Sequence, residues 1–189
     1  KCDWSSDVCS SDLGLSPVAV YNVAFVLAAP LSGLGAFLLA RRLTGRDDAA
    51  WLAAIAFAFN PYRLAHLPQL QMLWAVWLPV TLYALHGYLE TARRRWLVLA
   101  GVSWLMSALT NGYYLAFLPV LVAAWLVWFA RGWRTWLTIL GAFAIASLPL
   151  APLLRTYAAV QQRLGLERGI DEMQRFRDRK STRLNSSHT

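Results

Sequence analysis

The stretch Val18–Ala40, VAVYNVAFVLAAPLSGLGAFLLA, decides the fold class. It carries no charged side chain over a length that a bilayer-crossing helix needs, about 20 residues. In hydrocarbon the backbone must satisfy its own hydrogen bonds, so a run of this kind is helical. Working outward, five more apolar segments follow: Ala49–Asn60, Leu70–Leu89, Trp96–Thr110, Tyr113–Ala130 and Thr135–Leu154. The second and fourth are short for a full crossing, so they borrow flanking residues or end where the protein holds a water-filled cavity. The regular alternation of a membrane β-barrel is missing. The expectation is an all-α fold: a polytopic transmembrane helical bundle of about six membrane segments.

The two ends read differently. Cys2–Leu13, CDWSSDVCSSDL, and Asp178–His188, DRKSTRLNSSH, are polar and patternless. Permitted codons for the first stretch give a DNA whose reverse complement encodes the second. One piece of DNA in opposite orientations accounts for both, and it resembles a common short-read sequencing adapter. Residues 1–13 and 178–189 are therefore expected to be adapter-derived and are set aside from fold reasoning. The native part is expected to run from about Gly14 to Arg177, as a fragment of a larger protein. Within it, 14–155 reads as the transmembrane region. Residues 156–177 read as an outer-face segment, either an amphipathic helix on the surface or the start of a further domain.

Both cysteines, Cys2 and Cys9, and both lysines, Lys1 and Lys180, belong to the ends. The interior thus offers neither a disulfide framework nor a cysteine metal site. Between Gly14 and Arg177 stand 14 arginines against 6 acidic residues, a net +8. On a soluble domain such charge would suggest nucleic acid. Here the arginines sit in short clusters between apolar runs, the mark of a multi-pass membrane protein, and no nucleic-acid partner is expected. Arg41, Arg42, Arg46, Arg93, Arg94, Arg95, Arg131 and Arg134 lie on one set of loops, and Arg63 alone on the other. The positive-inside rule places the first set in the cytoplasm, with Pro61–Gln69 and Asn111–Gly112 outside. Trp51, Trp96, Trp128, Trp133 and Trp136 fall near the cytoplasmic boundary, as an aromatic belt would.

The chemistry-bearing stretch is NPYRLAHLPQLQ, Asn60–Gln71. Pro61 and Pro68 interrupt helical continuity. Arg63 and His66 are one helical turn apart, a spacing that puts them on one face. With Asn60, Tyr62, Gln69 and Gln71 they form a polar cluster at the outer helix ends. The turn Thr110–Tyr114, TNGYY, supplies Asn111, Tyr113 and Tyr114 at the same level. Together these residues are the candidate substrate-binding set. A forked guanidinium suits phosphate, and an imidazole can donate or accept a proton. Asn, Gln and Tyr can hold sugar hydroxyls. The competing reading makes Arg63 a snorkelling cation, Tyr62 and Tyr113 belt residues, and Pro68 a helix stop.

The other polar features read as structural. Asp47–Asp48 supplies negative charge at the start of the second helix. His86 stands inside the third segment with no evident partner, as a packed or interhelical hydrogen-bonding histidine. Ser32–Gly35, SGLG, offers a close helix contact. No metal-ligand spacing and no Ser-His-Asp order is present.

The run from Asn22 to Trp96, with FNPYRLAHLPQLQ (Phe59–Gln71), and Leu109–Phe129, with NGYY (Asn111–Tyr114), resembles bacterial multi-pass proteins similar to the C-type glycosyltransferase superfamily. That resemblance implies a helical inner-membrane enzyme. It would transfer sugar from a polyprenyl-phosphate carrier to an acceptor outside the cytoplasm. It implies an acidic residue on a first outer loop, upstream of Gly14, that acts either as base or as partner to a divalent metal in the full-length parent; no cofactor is visible in the sequence itself. Glu167, Asp171 and Glu172 come too late in the chain for that role. Arg63 and His66 would hold the lipid-linked phosphate. The partners implied are membrane lipid and the polyprenyl-phosphate-linked sugar, and the fragment alone is expected to be inactive. The rival readings are a lipid-linked-sugar flippase and a non-catalytic membrane subunit.

Overall fold

The computed structural model describes residues 16–164, and those residues are helical with short connections. The expected adapter-derived ends and the remainder of the outer-face segment lie outside the described residues. The order is α1 (Pro17–Thr44), α2 (Asp47–Ala58), α3 (Pro61–Ala65), α4 (Leu70–Leu73), α5 (Trp77–Thr91), α6 (Arg94–Thr110), α7 (Gly112–Phe129), α8 (Trp133–Ser147) and α9 (Leu150–Leu164). The first eight belong to one compact unit and α9 to a second, divided at Ser147–Leu148.

The all-helical expectation holds among the described residues, but the expected six crossings do not follow. Three stretches are long and apolar enough to cross a membrane: Pro17–Thr44, Leu70–Thr91 and Gly112–Phe129. A fourth qualifies only if Trp133–Ser147 and Leu150–Arg163 are counted together. The reason is length. α2 has 12 residues, α6 has 17 and α8 has 15, and each residue of a helix advances only about 1.5 Å.

Local chemistry sets the breaks. Ser16 caps α1 by accepting from the Ala19 amide at 3.2 Å, and Pro17 follows, preset for a first turn. Gly45, with φ of 68°, ends α1 in the left-handed conformation that glycine adopts freely. The third apolar segment is not one helix. Pro79 has no amide to offer the Ala75 carbonyl and its ring would strike it, so α4 stops at Leu73 and α5 begins at Trp77. Pro149 acts in the same way on the sixth segment, which ends as a helix at Ser147. A new helix, α9, starts within the stretch expected to belong to the crossing and continues through the expected boundary at residue 155.

Small residues bring α1 close to its neighbours. Ala28, Ser32, Gly33 and Ala36 are buried, opposite buried Ala50, Ala54 and Ala58 of α2. A Cβ on Gly33 would stand 3.4 Å from the Ala54 carbonyl oxygen, and one on Gly35 3.0 Å from Pro79 Cγ. The SGLG motif therefore does the close packing expected of it. A larger core joins α5 to α8 through Leu82, Leu85, Ala100, Leu118, Val122, Leu126, Ile139 and Phe143. Thr81 donates to Ser103 across α5–α6 at 3.0 Å, and Trp104 donates to Ser147 across α6–α8 at 3.0 Å. Much of the remaining large apolar surface, including Trp128 at 82 % and Val127 at 74 %, is exposed. So wide an apolar exterior suits lipid contact.

At the arginine-rich end, Arg42 ties three helices. Its Nε and Nη2 donate to Glu90 of α5 at 2.9 and 2.7 Å. Its guanidinium lies 4.9 Å from the Tyr83 ring centroid and 4.4 Å from that of Trp96 on α6. His86 Nε2 stands 3.4 Å from the other Glu90 oxygen, so this histidine has a partner one turn along its own helix. The far side of its ring packs edge-on against Trp125 and Phe129 of α7. Gly87 makes room for this cluster: a Cβ there would lie 2.6 Å from Trp96 and 2.7 Å from Arg42 Nη1. Gly87→Ala is expected to destabilise the bundle by about 1–3 kcal/mol. Gly112→Ala, where nothing lies within 4 Å of the new carbon, should stay within about 0.5 kcal/mol. Thermal unfolding of both variants in detergent checks the contrast.

Asp47 and Asp48 open α2, as expected, paired with Arg41 and Arg46. The Arg46 side chain, and secondly the Ala49 amide, hold the Asp48 carboxyl below its ordinary range. A carboxyl lower in the folded than in the unfolded state stabilises fully above its unfolded value. The contribution is lost as pH falls through the folded one. Arg46→Gln should raise the Asp48 midpoint toward that of a free carboxylate, read by a carboxyl-carbon NMR titration.

Candidate functional site

The Asn60–Gln71 stretch folds as two short helical turns joined by His66–Gln69. Asn60 starts the first. Its Oδ1 accepts from the Arg63 amide at 2.9 Å and its Nδ2 donates to the Phe57 carbonyl at 3.0 Å. Pro61 takes the first helical position, where its missing amide costs nothing. Asn60 is thus a structural cap at both hydrogen-bonding ends.

Arg63 turns inward. Only 4 % of the residue is exposed. Its Nη2 donates to Ser32 Oγ at 3.0 Å, to the Leu73 carbonyl, and at 3.4 Å to the Ala28 carbonyl. Its Nη1 donates to the Phe57 carbonyl at 3.3 Å. One guanidinium so fastens α1, the end of α2, α3 and α4. Among the described residues no carboxylate pairs with it, and its buried Nε has no hydrogen-bond partner. The cation is met by carbonyl dipoles rather than by a counter-charge.

His66 follows a different course, just past the end of α3. Its ring stacks on Tyr62 with centroids 4.2 Å apart, and Nδ1 lies 2.7 Å from the Tyr62 carbonyl. A carbonyl only accepts, so Nδ1 is the nitrogen that donates to it. No hydrogen bond joins the Arg63 and His66 side chains. The one-turn spacing leaves one buried and the other half-buried because α3 stops at Ala65.

The turn before α7 does come to this stretch, through a residue that sequence reasoning passed over. Met72 Sδ receives the Tyr62 hydroxyl at 3.8 Å and Asn111 Nδ2 at 3.0 Å. Asn111 also caps α7 by accepting from the Tyr113 amide at 3.0 Å. Tyr114 is half-buried, whereas Tyr113 is 63 % exposed. Gln69 and Gln71 are exposed. Ser32, the partner of Arg63, is the second residue that was missed. Its signal was a hydroxyl in an otherwise apolar run. Trp74 is the third: its indole donates to the Ala24 carbonyl at 3.1 Å and pins the α4–α5 break to α1.

The cavity beside this cluster is apolar. A groove of about 200 Å³ runs between α1 and the α2–α3 connection, lined by Phe25, Val26, Phe59, Leu64 and Leu67, with Arg63 in its wall. Exposed hydroxyl and amide groups and the half-buried His66 imidazole stand at this end, and among the described residues no acidic side chain pairs with Arg63 or His66. Among the described residues no group of three His, Cys, Asp or Glu side chains could hold a metal.

No family model, curated protein or solved structure matches the chain.

Removing Arg63 should strip several carbonyls of a donor at once. Arg63→Ala is expected to lower stability by at least about 2 kcal/mol, and Ser32→Ala by about 1 kcal/mol. Combining them should cost less than the sum, since they share a hydrogen bond. A thermal-unfolding double-mutant cycle in detergent measures the coupling.

Proposed function

We propose that this chain is the membrane-embedded part of a glycosyltransferase that takes sugar from a polyprenyl-phosphate carrier and delivers it outside the cytoplasm. The observation that carries the reading is the groove beside Arg63. An apolar channel with an uncompensated guanidinium in its wall suits an amphiphile, an isoprenoid chain joined to an anionic phosphate. The phosphate would supply the counter-charge that Arg63 lacks among the described residues. Its approach would draw on a cation already placed, the arrangement that stabilises charge developing on a leaving group.

The remaining groups fit the sugar end. His66 Nε2 and the exposed Gln69, Gln71, Tyr62 and Tyr113 can bond hydroxyls. The base and any divalent metal would come from an upstream outer loop bearing an acidic residue. This placement assigns the Asn60–Gln71 end to the outer face of a bacterial inner membrane, in keeping with the arginine bias.

The flippase and the non-catalytic subunit are separated from this reading by experiment. Arg63 is a poor probe because it also holds the fold. Leu64→Trp and Leu67→Trp fill the groove from exposed positions, and His66→Ala removes the imidazole. In membranes carrying the complete gene product, each should cut sugar transfer from polyprenyl phosphate by about tenfold or more at unchanged protein level. Unchanged transfer in all three sinks the reading. Lost translocation with transfer intact would favour the flippase.

A further inference from the structure

α9 stands apart from the rest in its pattern. Pro152 falls within its first turn, where a missing amide is tolerated, and the Thr156 hydroxyl bonds back to the Pro152 carbonyl at 2.9 Å. At 100° per residue, Leu153, Leu154, Tyr157 and Val160 fall within an arc of about 120°. They are exposed by 55, 49, 70 and 45 %. Gln161 interrupts the stripe in the last turn, so the apolar face is about two turns long. Arg155 and Arg163 lie on the opposite side with Thr156, Ala159 and Gln162, and the helix contains no acidic residue.

We infer that α9 is an interfacial helix that lies in the plane of the membrane, with its leucine–tyrosine face among acyl chains and Arg155 and Arg163 on anionic lipid headgroups. Three observations converge on lipid as the occupant. Both charged residues of the polar face are basic, complementary to lipid phosphate and not to the same face of a second copy. The helix's two arginines, Arg155 and Arg163, forbid it a central position in the bilayer. Only Leu148 and Pro149 separate it from an apolar helix, so the lipid surface is within the reach of its tether. Tyr157 has the apolar body and polar tip that settle at the headgroup level. The inference needs a membrane but not the sugar chemistry proposed above, and its test has no enzymatic readout.

The full chain, with Cys2 and Cys9 replaced by Ser, would carry single cysteines at 153, 154, 155, 157, 159, 160 and 163. Each is labelled with an environment-sensitive fluorophore and reconstituted in phosphatidylcholine vesicles with or without phosphatidylglycerol. Shielding from an aqueous quencher should peak at 153, 154, 157 and 160 and fall at 155, 159 and 163. Added phosphatidylglycerol should strengthen the contrast, and raised salt should weaken it. Arg155→Gln with Arg163→Gln should reduce the shielded-to-exposed ratio by roughly tenfold. Uniform exposure overturns the inference, and so does uniform shielding without periodicity, the signature of a crossing. Shielding that vanishes on dilution of protein in lipid assigns the face to a second copy and likewise overturns it. Shielding indifferent to phosphatidylglycerol and to both arginines overturns the anionic-lipid assignment.

Discussion

Arg63 is the residue on which the broken part of the bundle depends. Two consecutive short helical turns, α3 and α4, bury too little apolar surface to hold their own position. One guanidinium compensates by donating to carbonyls on both sides of the break and to Ser32 of α1. The Phe57 and Leu73 carbonyls stand at the ends of α2 and α4, where intrahelical donors run short. A planar five-donor fork can reach several such acceptors at once, which an ammonium cannot match geometrically. The arrangement leaves a cation with no carboxylate partner among the described residues, inside a surface suited to hydrocarbon. That electrostatic imbalance is what makes the adjoining groove chemically interesting.

The two ends of the bundle solve opposite problems. At the arginine-rich end, Arg42 is paired with Glu90 and covered by Tyr83 and Trp96, although the indole nitrogens of Trp96 and Trp125 and Nδ1 of His86 are buried there with no hydrogen-bond partner. Gly87 is what lets that cluster close. At the other end no carboxylate among the described residues pairs with Arg63, and the polar side chains around it cap helices or point outward.

Much of the architecture was legible in the amino-acid order. Apolar runs announced helices, and SGLG announced close approach. The count of crossings was less legible. Apolar runs of the same appearance proved too short, or were cut at Pro79 and Pro149, because hydropathy averages over a proline that breaks the backbone ladder. Of the candidate residues, Tyr62 and Asn111 meet at Met72, Asn60 caps the turn that carries Arg63, and Gln69, Gln71 and Tyr113 stay exposed. Arg63 and His66, which one-turn spacing placed together, part company because α3 is only five residues long.

The sequence by itself determined the helical class, the interruption at Pro61, the one-sided distribution of arginine and the identity of the polar stretch, since each follows from local backbone and solvation rules. Only the tertiary structure decided that Arg63 points inward, that Ser32 and Leu73 receive it, and that Met72 joins the two outer turns. Those outcomes depend on which carbonyls lack donors once helices have packed, and that shortage does not exist until α1, α2 and α4 come together.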